Sequence, residues 1–341
     1  MAGTSSEAAS PARREGWEIH RMPALAAAGV FVGIAAVYLA AALLVGERFF
    51  DPDSPFGLER MVRFNGVCLA IIAFTIWAGL SEFRRMPVEL PELQRVLDCD
   101  SATFRAALER SKPTRSQVAL AAALSALFGA SVMIASYRVA VELDQWIWNF
   151  HSYWNLLLMM LMFGLLGVFT VRGVRSARLD SSLAARYAHV DLLDPKSLRL
   201  FTRRGLRMAF FWFGGSGIAL LLAIDSTSRE IVLAVITLTT ALGVASLMRS
   251  TRGAHERLRT VKQTELARVR AAIRQRREGL LDGDGATDLP ALLAWEARIA
   301  AVSEWPFDAS SLLRFGLLVL IPVGSWLGGA LVERLVDSLL G

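Results

Sequence analysis

Long uncharged apolar runs alternate with shorter stretches dense in charge, and this alternation is the dominant pattern of the chain. Seven runs carry no Asp, Glu, Lys, Arg or His: 23–46, 64–80, 118–137, 154–171, 208–224, 231–248 and 315–332, of 24, 17, 20, 18, 17, 18 and 18 residues. Crossing a hydrocarbon layer about 30 Å thick takes roughly 20 helical residues at about 1.5 Å each, with a working range of about 17–25. Every run meets that requirement. The second and fifth sit at its lower limit, where the long stems of Arg63 and Arg207 extend the reach towards the headgroups. Lipid offers no partner to an open backbone N–H or C=O, so these runs predict helices. The expected fold class is all-α, a polytopic membrane bundle of seven spans joined by helical connectors.

The basic residues give an orientation. Lys and Arg accumulate on the cytoplasmic side of membrane helices. Three lie in the N-terminal tail 1–22, seven in the connector 84–116, nine from Arg172 to Arg207 and twelve from Arg249 to Arg314, together 31 of the 37 in the chain. The remainder (Arg48, Arg60, Arg63, Arg138, Arg229 and Arg334) fall in the alternate connections or the C-terminal tail. The expected arrangement is therefore N-terminus inside and C-terminus outside. Three hairpins (23–83, 117–172 and 207–248) are separated by the inner connectors 84–116, 173–206 and 249–313, and a last helix with a short outer tail occupies 314–341.

Composition narrows the class. Of 341 residues, 54% are apolar and only 20% charged, the mean hydropathy is +0.43, and there are two Cys. These values exclude a simple soluble enzyme, a disordered tail protein and a disulfide-stapled secreted domain. A pI near 9.9 invites a nucleic-acid reading. No recognised binding motif accompanies the charge, so the arginines are read as topological, placed near anionic headgroups, and nucleic acid is not an expected partner. The first run is longer than the core of a secretory signal, and Gly46-Glu47-Arg48 is a poor cleavage context, so it is read as an uncleaved helix. Arg outnumbers Lys 34 to 3 among Ala- and Leu-rich runs, a bias of GC-rich bacterial genes that points to a bacterial inner membrane.

Outer connections are short, and the second carries Trp146, Trp148, Tyr153 and Trp154, suited to the membrane–water boundary. Inside, Pro91 is expected to open one helix and Asp100-Ser101 to cap another running towards Glu109. The next connector holds a short run from Asp180 to Tyr187 and a break at Asp194-Pro195. In the third, 255–278 reads as a charged helix with a narrow apolar stripe of Leu258, Val261, Leu266, Val269 and Ile273. After an Asp/Gly turn, Asp288 and Pro290 start a second helix whose apolar face is Leu292, Trp295, Ile299 and Val302. That face would lie along the headgroups or pack on its Arg-rich neighbour. A faint echo, Arg175-Ser176-Ala177-Arg178 against Arg249-Ser250-Thr251-Arg252, suggests duplicated hairpin units.

Chemistry-bearing residues are sparse. Coupled carriers need ionisable groups at mid-membrane, and the runs hold none; Asn65 and Asn155 are their strongest polar members. Cys68 and Cys99 are isolated, the four His are dispersed, and Asp282, Asp284 and Asp288 lack the glycine and terminal carboxylate of a calcium loop. Neither metal nor cofactor is expected, and no enzyme motif nominates a catalytic residue. Two features remain. Gly29 and Gly33, Gly214 with Gly217, and Pro322 with Gly324 and Gly328 mark close helix packing or a broken-helix pathway. Glu304, Asp308 and Arg314 flank the last run, where an acid could pair with arginines of the other inner connectors and dock the cytosolic helices.

The function expected from these residues is a non-enzymatic scaffold or signal-transmitting membrane protein acting through its cytoplasmic helices. Its partners would be the bilayer, a cytoplasmic protein docking on 249–313 and a second copy of the chain. The competing expectation is a transporter or channel for a neutral or lipid-like substrate through the glycine-rich fifth and seventh spans.

Overall fold

Among the residues that the computed structural model describes (11–45, 58–140, 150–193, 198–222, 229–281, 289–307, 310–311, 313–320 and 324), eight helices have defined bounds. They are α1 (Pro11–Val45), α2 (Leu58–Arg95), α3 (Ser101–Ser111), α4 (Arg115–Ala140), α5 (Phe150–Tyr187), α6 (Arg199–Ala219, continued by a 3-10 turn at Leu220–Leu222), α7 (Arg229–Leu281) and α8 (Leu289–Ala301). Among the described residues there is no strand, only an isolated bridge between Leu97 and Ala188. Among the described residues four segments are long and apolar enough to cross a membrane: Met22–Val45, Arg63–Arg95, Ser101–Ala135 and Phe150–Tyr187.

The helices outrun their apolar runs. At about 1.5 Å per residue, the 38 residues of α2 and of α5 reach about 57 Å and the 53 of α7 about 80 Å, well beyond about 30 Å of hydrocarbon. Three expectations are corrected here. Pro91 does not open a helix; α2 runs through both Pro87 and Pro91. Residues 180–187 are not a separate short run but the end of α5, and 255–278 continue the helix that begins in the sixth run. Packing overrides the proline signal: Leu93 and Leu97, just past Pro91, are buried in a core with Phe104, Leu183, Phe201 and Leu258. Proline costs one backbone hydrogen bond per position, and burying each large apolar side chain returns about 1.5–3 kcal/mol.

Other expectations hold. α3 starts where Asp100 caps it, its Oδ2 accepting from the Ala102 and Thr103 amides at 3.2 Å each. Those bonds, with the Thr103 side chain, hold the Asp100 carboxyl below its ordinary value. On α7, Leu258 and Val269 are buried and Val261, Leu266 and Ile273 half-buried, as a single stripe requires. α8 packs against it with Ile299 fully buried. Of the two placements considered for α8, packing on its Arg-rich neighbour is the one observed.

Two ends can be told apart. At the aromatic end, the Tyr38 hydroxyl meets His151 Nδ1 at 3.0 Å, and Trp154 Nε1 donates to Asn65 Oδ1 at 3.0 Å. The opposite, basic end joins the C-terminal parts of α2 and α5 to the first turns of α6. There the Asp98 amide donates to the Tyr187 carbonyl at 2.7 Å and the His189 amide to the Val96 carbonyl at 3.1 Å.

Candidate functional site

Three helices bring charge to one buried place at the basic end. Glu82 and Glu89 lie seven residues apart on α2, Ser176 and Asp180 four apart on α5, and Arg204 and Arg207 three apart on α6, spacings that put each pair on one helix face. All six sit just beyond the apolar runs of their helices. The faces converge on Arg204, whose side chain is 5% exposed, against 3% for Asp180.

Every nitrogen of Arg204 is engaged. Nε donates to Asp180 Oδ2 at 2.9 Å, Nη1 to Glu89 Oε2 at 3.2 Å and Nη2 to Ser176 Oγ at 3.1 Å. Arg207 Nη2 donates to the same Glu89 oxygen at 2.6 Å, so one carboxylate oxygen bridges two guanidiniums. Arg207 Nε stands 3.4 Å from Glu82 Oε2, an ion pair without hydrogen-bond geometry. Burial works against the charge on Arg204, but Asp180, Glu82 and Glu89 outweigh it and raise its hold on the proton. The guanidinium is thus a permanent charge. Such a cluster gains little net stability over an apolar core, yet it is unforgiving of the loss of one member. It fixes which faces of α2, α5 and α6 meet.

A second set of polar contacts clamps the strap 302–307 that follows α8. Buried Lys262 donates to the carbonyls of Ala300 at 2.9 Å and Val302 at 2.7 Å, satisfying the end of α8. His255 Nδ1 donates to the Glu304 carbonyl at 2.7 Å, which fixes the proton on that nitrogen, and the ring stacks on Trp305 with centroids 4.1 Å apart. Thr202 Oγ1 on α6 donates to the Pro306 carbonyl at 2.9 Å.

The residues singled out in the sequence scatter differently. Glu304 is the acid closest to its expected role, but it lies 3.9 Å from Arg259 and 4.0 Å from Lys262 of its own connector, not opposite the other connectors. Arg314 is exposed, and Asp308 lies outside the described residues. A side chain at Gly214 would meet the Phe74 ring at 2.8 Å, so this glycine packs against α2, and α6 stays helical through Gly214 and the buried Gly217. Among the described residues, a Cβ at Gly29, Gly33 or Gly324 would meet nothing within 4 Å. Pro322 and Gly328 lie outside the described residues. Among the described residues, no group of three or more His, Cys, Asp or Glu is placed to hold a metal ion. His189 faces Asp98 at 3.0 Å and His255 faces Glu304, each on its own partner.

No protein-family model, curated protein or solved structure matches the chain.

Glu89, Asp180, Arg204 and Arg207 went unrecognised as a set in the sequence. Their signal is nonetheless there: acid or base at helical spacing, within about three turns of an apolar run, on the helices that carry the second, fourth and fifth runs.

Proposed function

We propose that the chain is a multi-pass protein of a bacterial inner membrane that acts, without chemistry of its own, as a scaffold or signal relay through its cytoplasmic helices. In this reading seven runs cross the bilayer, the N-terminus and the basic end face the cytoplasm, and the C-terminus lies outside. One observation carries it: α2, α5 and α7 pass without a break from apolar runs into the water-side core, where Arg204 ties α2, α5 and α6 together. A displacement of one membrane helix is delivered to the cytoplasmic helices, because no loop intervenes to absorb it. The α7–α8 pair offers the working surface, with Arg268, Arg274 and Arg277 exposed on α7.

The test is Arg268→Glu/Arg274→Glu/Arg277→Glu in the full chain, followed by quantitative co-purification from bacterial membranes in mild detergent. The expected outcome is loss of the proteins that accompany the parent, with membrane insertion and helicity unchanged. An unaltered set of companions and an unaltered cellular phenotype would discard the proposal.

A further inference from the structure

At the basic end, four arginines that no acid matches gather around one cleft. α3 and the water-side part of α5 enclose an open cleft of ≈ 350 Å³ whose wall carries Arg110, Arg175, Arg178 and Arg186 and no carboxylate. On α5, Arg175, Arg178, Ser182 and Arg186 follow at steps of three, four and four, one face of the helix. α3 answers with Thr103, Ala107, Arg110 and Ser111, and Leu179 and Leu183 add apolar surface.

Several arginines near the cleft do find acids. Arg203 has Glu92 at 2.9 Å, Arg252 has Glu256 at 2.7 Å and Arg270 has Glu296 at 2.6 Å, while Arg204 and Arg207 share Glu89. Among the described residues none of the four cleft arginines makes an ion pair. Arg175 is held by a neutral group, donating from Nη2 to Gln117 Oε1 at 2.6 Å, and Arg110 spends only its Nε, on the Ala106 carbonyl at 3.2 Å. Both keep further donors. The closest acid in sequence, Glu109, is taken by Lys112 at 2.5 Å.

We propose that this cleft is a binding site for a phosphate-bearing anion. Guanidinium groups bind phosphate oxygens with paired, charge-assisted hydrogen bonds, and here they are the donors: Ser111 and Ser182 spend their hydroxyls on the Leu108 and Leu179 carbonyls, and Thr103 spends its own on Asp100. The C-terminal carbonyls of α3 oppose an anion, a small effect beside four full charges. From Arg175 to Arg186 the backbone rises about 16 Å, room for two phosphates in a row. The cleft begins four residues past the fourth apolar run, about 6 Å along the helix, which is headgroup depth. Arg175 and Arg178, nearest the run, can thus meet the phosphates of an acidic phospholipid such as cardiolipin, and Arg186 extends the site towards water. The site itself stands on charge and shape; only the lipid source rests on the membrane reading above.

The experiment uses the full chain purified in nonionic detergent, after confirming that it resists alkaline extraction from membranes. Binding of cardiolipin, phosphatidylglycerol, phosphatidylcholine, inorganic phosphate and pyrophosphate is measured by native mass spectrometry and thermal shift. Cardiolipin is expected to bind and phosphatidylcholine not, and Arg178→Ala/Arg186→Ala to weaken the binding by about tenfold. Arg84→Ala/Arg105→Ala, equally exposed charges outside the cleft, leaves it unchanged. Binding of phosphate or pyrophosphate but not lipid, lost in the same variant, upholds the site and assigns it a soluble ligand. Equal anion binding by parent and cleft variant, equal loss in the control variant, or no anion bound at all would overturn it. Should the cleft variant unfold, Arg178→Gln/Arg186→Gln is read in its place. Release by alkali would instead count against the membrane reading and the lipid source, with the phosphate arms still deciding the site.

Discussion

Arg204 is the residue on which the basic end turns. Replacing it by Met leaves Asp180 and Glu89 buried beside Arg207 alone, and breaking a buried pair in this way costs about 3–5 kcal/mol. Arg204→Met combined with Asp180→Leu removes the stranded charge and is expected to recover a good part of that loss. Thermal unfolding in detergent reads both; a neutral single variant, or a double variant no better than the single, contradicts the account of the cluster. The cluster was only half legible in the sequence. Spacing places Asp180 with Ser176 and Arg204 with Arg207, but nothing in the order of residues says that faces from positions 89, 180 and 204 meet. Glu304 shows the converse: its position before the last apolar run was plain, and the bases nearest it are local because α8 folds back on α7.

Helix existence was legible and helix extent was not. The apolar runs announced themselves through length alone, because crossing lipid leaves the backbone no alternative. Beyond them the signal changes from a run to a stripe, and a change of pattern was mistaken for a change of element at Pro91, Asp180 and His255. Glycine had the same ambiguity, since the four-residue spacing of Gly29 and Gly33 resembles a packing motif but faces open space. Close approaches lie instead at Gly129, Gly167 and, tightest among the described residues, Gly253, where an added Cβ would collide with the backbone carbonyl of Ser181. Gly253→Ala therefore should destabilise by about 1–3 kcal/mol through overpacking. Gly29→Ala, with room to spare, should stabilise by about 0.5–1 kcal/mol through helix propensity. Midpoints of unfolding for the two variants must move in opposite directions; a shared sign refutes this assignment of the contacts.

At the scale of the whole molecule, the two ends are held by different physics. The water-side core around Phe201 and Leu258 gains from removing apolar surface from water. A second core, built on Cys68, Ile72, Leu158 and Met162, lies among the apolar runs; in the proposed membrane reading, lipid there is as apolar as the side chains and only close packing and dispersion remain. The proposed orientation makes a direct demand on this arrangement. Reporter fusions after residue 150 should be active only outside the cytoplasm and those after residue 270 only within it; the reverse result at either position removes the topology. α7 adds a constraint of phase. A single residue inserted near Ser246 would turn everything beyond it by about 100° and advance it by about 1.5 Å, swinging Gly253 from Ser181 and Leu258 from its neighbours together. Nothing along this rod can take up slack, so its length is free to vary only at its tips.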